Sequence, residues 1–238
     1  MRIGLLGYGK MGQAIEAEAL PRGHEITHRL NLGDDRASLA TNAPDVVIAF
    51  THPDSFSSDL ELCLRLGLPL VVGTTGWYDR LPEVAQTVAH ADARVMYSAN
   101  FSIGVNILFK LNQRLAEWMN GYPEYDVYIQ EAHHRHKADG PSGTAVALAN
   151  DILARLDRKN VMAPDLRQRK PQPEELSVGF VRAGEIIGEH QVTYTSEIDE
   201  IRIEHKARNR RGFALGAVVG AEALVKKEPG FYNFSELF

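Results

Sequence analysis

Three histidines, an arginine and a lysine stand in one run of five residues, His133-His134-Arg135-His136-Lys137. An imidazole exchanges protons near neutral pH, and an ammonium beside it is either a second proton donor or a fixed positive charge. Left alone these groups repel one another, so the run calls for an anion. A helix start follows at Pro141-Ser142-Gly143-Thr144, with proline pre-set for the first helical position and a serine or aspartate placed to cap it. Free N–H groups of Gly143 and Thr144 would hold a carboxylate, and the cations of 133–137 would complete the site. The blander alternative is a solvated basic turn that caps a helix. No metal is expected, because Arg135 and Lys137 disfavour a dication and no carboxylate–histidine spacing typical of zinc is present.

A second kind of chemistry is written near residue 7. Gly7-Tyr8-Gly9-Lys10-Met11-Gly12 fits GxGxxG, directly after an apolar run and at the opening of a helical pattern. Gly7 allows the tight turn, Gly9 lets the backbone approach a pyrophosphate, and Gly12 lets helix and strand pack closely. The helix N-terminus adds N–H groups and positive dipole for the phosphates. Tyr8, Lys10 and Met11 complete this cofactor loop; the alternative is a glycine-rich turn with no ligand. The carboxylate usual at the end of the second strand is missing. Asn31 stands there, suited to a ribose hydroxyl without repelling a 2′-phosphate, while Arg29 is either a phosphate contact or a solvated strand residue. Either NADH or NADPH is therefore admitted. Gly73-Thr74-Thr75 and Ser98-Ala99-Asn100-Phe101 close two further strands, where open α/β sheets bind ligands. Their small and amide groups suit a nicotinamide or ribose, although each read alone is an ordinary turn.

The elements that must position these groups are of two kinds. Apolar runs at 3–6, 25–30, 46–50, 70–72 and 94–98 alternate with helical patterns at 11–20, 56–66 and 81–90, with Ser55 or Asp54 as cap of the middle one. That alternation predicts βαβ units and a parallel sheet. The next helix carries an apolar face of Ile103, Ile107, Leu111, Leu115 and Trp118. From 127 the period becomes two, so Glu131 and His133 share a strand face and His134 points away. Residues 144–156 are again helical, with Val146, Ala149, Leu153 and Leu156 along one side, and 157–175 reads as a loop. Strands at 176–182, 190–195 and 201–207 follow in series, which implies an antiparallel or mixed sheet, before a helical 213–226. The fold class expected is α/β: a Rossmann-type parallel-sheet dinucleotide domain plus an α+β domain with an open mixed sheet.

Hydrophobic residues at 44% and charged residues at 24% are ordinary globular values. No apolar run approaches the roughly 20 residues of a membrane helix, and 3–6 is too short for a signal-peptide core. A net charge of −5 argues against nucleic acid as a partner. The single cysteine, Cys63, excludes an intrachain disulfide, reads as a small buried hydrophobe and fits a reducing, cytoplasmic setting.

The run EAHHRHKADGPSGTA at 131–145 resembles the signature of the 4-hydroxy-tetrahydrodipicolinate reductase family, formerly dihydrodipicolinate reductase. The likeness extends over essentially the whole chain, through the glycine loop, Phe50-Thr51, Gly73-Thr74-Thr75, Ala99-Asn100-Phe101 and Phe213-Ala214-Leu215-Gly216-Ala217. It departs in a glycine loop one residue shorter than in the longer members, and in the missing acidic residue near Asn31. The resemblance implies a dinucleotide-binding domain of 1–101 and 212–238, completed by the C-terminal segment. It also implies a substrate-binding and oligomerisation domain of 102–211, and a homotetramer built through the open sheets. The implied reaction is NAD(P)H-dependent hydride transfer to a cyclic dicarboxylic imine with loss of water, giving tetrahydrodipicolinate on the diaminopimelate route to lysine. By the same resemblance His133 is the acid and Lys137 the second catalytic group. His134, Lys137, Gly143 and Thr144 bind substrate carboxylates, and Glu131 orients a histidine. Two alternatives remain. An aspartate dehydrogenase-like enzyme would lack the His-His-x-x-Lys run followed by Pro-Ser-Gly-Thr, and a non-enzymatic dinucleotide sensor would show no turnover.

Overall fold

The computed structural model describes residues 1–163 and 169–238. In chain order it runs β1 (Arg2–Leu6), α1 (Lys10–Ala19), β2 (Glu25–Leu30), the single turn α2 (Ser38–Thr41), β3 (Val46–Ala49), α3 (Phe56–Leu66), β4 (Leu70–Val72), α4 (Leu81–His90) and β5 (Arg94–Tyr97). Then come α5 (Ile103–Met119), β6 (Asp126–His133), α6 (Gly143–Leu153), β7 (Val161–Ala163), β8 (Glu175–Arg182), β9 (Glu189–Thr195) and β10 (Glu200–Lys206). Helix α7 (Arg211–Leu224) and β11 (Gly230–Asn233) end the run. Two units result, Met1–Ile103 with Arg210–Phe238, and Gly104–Asn209.

The first unit holds a six-stranded sheet of order β11-β5-β4-β3-β1-β2, parallel at every described pairing. Its central strands are uninterrupted apolar runs because both faces are covered. Alternate residues of one strand serve different cores. Ile3, Leu5, Val46, Ile48, Val71 and Met96 pack with α1 and α7, whereas Leu6, Val47, Ala49, Leu70, Val72 and Val95 pack with α3 and α4. Cys63 lies buried in the second of these cores, where desolvation pushes its thiol up to about 12. Helix α7 approaches closely through small residues. A Cβ on Gly216 would stand 1.6 Å from the Phe101 carbonyl oxygen. Gly216→Ala should therefore cost about 3 kcal/mol or more of stability, read as a lower urea midpoint at unchanged slope.

The second unit holds a five-stranded mixed sheet of order β10-β9-β6-β8-β7, antiparallel from β10 to β6 and parallel from β6 to β7. One face carries Val127, Ile129, Leu176, Val178, Val192 and Tyr194 into a core shared with α5 and α6. The opposite face carries Gln130, Ala132, Gly179, Val181 and Gln191, and a cavity of about 380 Å³ opens there.

Several sequence expectations are corrected. Helix α5 does not bury the stripe read from its spacing: Ile107, Leu111 and Trp118 are 44%, 52% and 62% exposed. Its inner face is Val105, Leu108, Asn112, Ala116 and Met119, with Asn112 Nδ2 donating to the Leu148 carbonyl at 3.0 Å. Small and amide side chains let α6 come close, so the less apolar stripe faces inward. In α6 the buried set is Ala145, Leu148, Ala149 and Ile152; of the side read from the sequence, Ala149 and Leu156 are buried, Leu153 packs against the same core and Val146 is half-buried. Ser55 gives no side-chain cap to α3, because a short 3-10 turn capped by His52 precedes it. The loop read over 157–175 contains β7, while its residues 164–168 lie outside the described residues. Strand β11 was not read as a strand.

Candidate active site

Register builds the site on the second unit. Continuing its apolar face along the strands, Glu131 pairs with Phe180 on β8 and His190 on β9, His133 pairs with Arg182, and His205 pairs with His190. Cross-strand partners share a face. The face is thus hydrophobic where α5 and α6 cover it and titratable beyond them. Glu131, 3% exposed, is the hub. Its Oε2 accepts from His133 Nδ1, and its Oε1 accepts from the Ser142 backbone N–H at 3.0 Å and an Arg182 guanidinium nitrogen at 2.8 Å. Burial alone would raise this carboxyl, but Arg182, the Ser142 N–H and His133 together hold it below its usual range.

His133 is pulled below its usual range chiefly by desolvation; Glu131 opposes that, while Lys137 and Arg182 add to it. Because a carboxylate fixes the proton on Nδ1, Nε2 is left as the nitrogen for proton transfer. It faces Gly188, where a Cβ would lie 3.1 Å away. Lys137 is partly buried and its Nζ stands 2.8 Å from Asp139 Oδ1. Arg182 also donates to the Asp139 carbonyl at 2.5 Å, so the loop carrying Lys137 is tied to the hub.

The helix start is real but shifted by one residue. Ser142 is the N-cap, its Oγ accepting from the Ala145 N–H at 3.2 Å, so Pro141 precedes the cap instead of occupying the first helical position. Gly143 is exposed, and nothing lies within 4 Å of a Cβ built on it, which leaves room for an anion over the first turn. His134 lies one residue past the end of β6, its ring 6.1 Å from that of His136; the Arg135 N–H donates to the Gly184 carbonyl at 3.2 Å, anchoring that turn.

Sequence reasoning missed His190. It is buried, packs edge-on to His133 at 5.1 Å between centroids, and bonds Ser142 Oγ through Nε2 at 3.2 Å. Desolvation and the neighbouring His133 push it down to about 4, so it is a neutral ring at physiological pH. Glu131, His133 and His190 bring ligand-type atoms within 4.8 Å of one another, a cluster the spacing along the chain did not reveal. A cation there would have to displace Arg182 from Glu131 and Ser142 from His190. The signal for His190 was its alternation with Val192 and Tyr194, but register across 59 positions of sequence is not written in either strand.

On the first unit the glycine loop fits a dinucleotide. Gly7 has φ +88°, and a Cβ there would meet the Phe50 carbonyl oxygen at 2.2 Å. A Cβ on Gly12 would stand 2.4 Å from the Gly7 carbonyl oxygen, whereas nothing lies within 4 Å of one on Gly9. Space is therefore kept at the one glycine that a pyrophosphate approaches. Helix α1 has no side-chain cap and no acid in its first turn, leaving its N–H groups and Lys10 to an anion. Asn31 Oδ1 accepts from the Tyr8 N–H at 3.0 Å, so Asn31 also pins the loop. Arg29 is an exposed strand residue, as one of the two readings had it, but it is not a free cation. It forks onto Glu16 of α1, which also accepts from the Tyr8 hydroxyl, and its guanidinium lies 5.8 Å from the Tyr8 ring centroid.

The two other loops divide by role. Thr75 and Ala99 are exposed, whereas Thr74 is buried, its Oγ1 accepting from the Thr51 N–H at 2.9 Å. Gly73 accommodates the Phe50 ring, which a Cβ would meet at 2.2 Å. Ser98 Oγ donates to the Asn100 carbonyl at 2.8 Å, and Asn100 Oδ1 accepts from the Ser102 N–H at 2.9 Å. The Phe101 ring belongs to the core beside Phe50 and Phe234, leaving its backbone as the part near the loop. Met11 likewise packs against that core.

A family model described as dihydrodipicolinate reductase, N-terminus, matches residues 1–101, and one described as dihydrodipicolinate reductase, C-terminus, matches 104–238. The chain is 39% identical over 237 residues to the 4-hydroxy-tetrahydrodipicolinate reductase of Christiangramia forsetii, covering 100% of this chain and 97% of that protein. Its fold is similar to dipicolinate-bound dihydrodipicolinate reductase from Paenisporosarcina sp. TG-14, with TM-score 0.81 at 21% identity over 100% of this chain and 99% of that one. Amine dehydrogenase from Mycobacterium smegmatis is a more distant fold relative, with TM-score 0.62 at 12% identity over 99% and 95% of the two chains. Matched in both halves, and related along its full length to a named reductase, the chain belongs to the dihydrodipicolinate reductase family.

Proposed function

We propose that this protein is a 4-hydroxy-tetrahydrodipicolinate reductase, with His133 and Lys137 as its proton donor and cationic stabiliser. The observation that carries the reading is the buried chain from Arg182 through Glu131 to His133, beside Lys137 and the open first turn of α6. The first unit binds the dinucleotide through Gly7–Gly12, Asn31 and the loops at 73–75 and 98–101, and the bound nicotinamide supplies the hydride. Residues of the second unit do the rest. His134, Lys137 and the N–H groups of Gly143 and Thr144 hold the two carboxylates. Hydride addition to the conjugated C=C–C=N system leaves an electron pair that needs a proton, and His133 Nε2 delivers it. Glu131, accepting from Nδ1, holds the ring in the orientation that leaves Nε2 for the substrate and favours the imidazolium that donates from it.

NADH and NADPH both serve, with kcat/KM values within about tenfold. Asn31 brings no charge to repel a 2′-phosphate, and Arg29 is neutralised by Glu16. The open face of the second unit's sheet is the surface of a homotetramer, and the enzyme works in the cytoplasm. No helix among the described residues is long and apolar enough to cross a membrane.

The dipicolinate-bound relative supports a planar cyclic dicarboxylate as the ligand class. With substrate generated in situ and NAD(P)H absorbance followed, pyridine-2,6-dicarboxylate should compete with substrate. Thr144→Pro, which removes one N–H from the first turn of α6, should weaken that inhibition about tenfold. Unaltered inhibition in a folded variant would place the carboxylates elsewhere, and absence of turnover would overturn the reading itself.

A further inference from the structure

We infer that Glu16, a residue of the first helix, sets the cofactor preference by occupying the guanidinium that a 2′-phosphate would otherwise take. The inference rests on the dinucleotide reading of the glycine loop. In a Rossmann unit the end of the second strand meets the adenosine ribose, and an arginine there accommodates a 2′-phosphate. Arg29 has that position, next to last in β2, and its side chain is 42% exposed. Yet the Nε–Nη2 edge of its guanidinium is spent on the Glu16 carboxylate, whose side chain is 15% exposed, and Nη1 donates to the Ile26 carbonyl at 3.4 Å.

Tyr8 joins this pair to the ribose corner. Its backbone N–H holds Asn31 Oδ1, its hydroxyl donates to Glu16, and its ring lies beneath Arg29. Arg29 and Tyr8 together hold the Glu16 carboxyl below its ordinary range despite partial desolvation, so it stays ionised through neutral pH. The result is a closed ion pair where a phosphate reader would stand open. Phosphate can engage Arg29 only by displacing a carboxylate already bound in the same bidentate geometry. Asp34, which accepts from the Asn31 backbone N–H at 2.7 Å, adds a second negative charge to the corner and is left unchanged in the test.

The test compares equilibrium binding of ADP-ribose and 2′-phospho-ADP-ribose by calorimetry, which needs no turnover. Glu16→Gln should shift the affinity ratio about tenfold or more toward the 2′-phosphorylated ligand, and that gain should shrink with added salt. Arg29→Gln alone leaves Glu16 uncompensated and should move the ratio away from the 2′-phosphorylated ligand, and combined with Glu16→Gln it should abolish the gain. Glu16→Ala serves if Glu16→Gln folds poorly. An unchanged ratio in a folded Glu16 variant, or a gain that survives the added Arg29→Gln, would overturn the inference while leaving dinucleotide binding intact. If the natural protein bound neither ligand, the dinucleotide reading would fall and this inference with it.

Discussion

Lys137→Ala is expected to lower kcat by about 10²-fold or more while leaving dinucleotide affinity nearly unchanged, because the ammonium acts at the reacting ring and the cofactor loop lies on the other unit. A second signature separates this from a loss of packing. Lys137 is one of the charges that lower His133, so its removal should let the imidazole rise toward its usual range. His133 must be protonated to donate, and activity falls as pH rises through its pKa. The falling limb of the kcat profile should therefore move to higher pH even as its plateau drops. A variant with near-natural kcat, or a limb moved to lower pH, would refute the role given to Lys137.

Glu131→Gln should be as damaging by a different route. The carboxylate accepts from His133 Nδ1 and favours the imidazolium; an amide in its place can donate to that nitrogen and hold the ring neutral with its single proton on Nε2, a far weaker acid than the imidazolium. A comparable change of tautomer in a serine-protease triad costs about 10⁴-fold, so a loss of 10²-fold or more is expected here. With Glu131 gone, its upward pull on His133 vanishes, and the falling limb should move to lower pH, opposite to Lys137→Ala. Stability should suffer too, by about 3–5 kcal/mol, since Arg182 loses its buried partner. Combining it with Arg182→Met should restore much of the thermal stability and none of the activity. Recovery of both would make Glu131 a purely structural residue.

The parallel sheet was legible because its strands are uninterrupted apolar runs; the boundaries of β2, α3, β4 and α4 read from the sequence coincide with those observed. The glycine loop was legible for the same reason that it works, since each glycine answers a separate steric demand. What stayed hidden depends on register or on a choice between equivalent faces. Glu131 and His133 were visibly on one strand face, but Arg182 and His190 reach them only through pairings with β8 and β9. In α5 two stripes satisfy helical periodicity, and of the one chosen by hydrophobicity Ile107, Leu111 and Trp118 are exposed while Ile103 and Leu115 are half-buried. Arg29 was read without its partner because Glu16, thirteen residues earlier, meets it only once α1 lies against β2. Strand β11 has four half-buried residues, and only pairing with β5 makes it a strand.

That last strand carries a consequence for how the protein is made. Helix α7 and β11 complete the first unit, yet they follow all of Gly104–Asn209 in the chain. A ribosome adding about 5–20 residues per second spends roughly five to twenty seconds on that insertion. Throughout it, β5 is a bare edge and the face holding Val71 and Met96 lacks the helix that will cover it. The second unit, contiguous in sequence, has all its strands before the first has its sixth. Nascent chains stalled before residue 211 therefore expose an adhesive edge and an apolar surface, the features that chaperones bind and that neighbouring chains pair with.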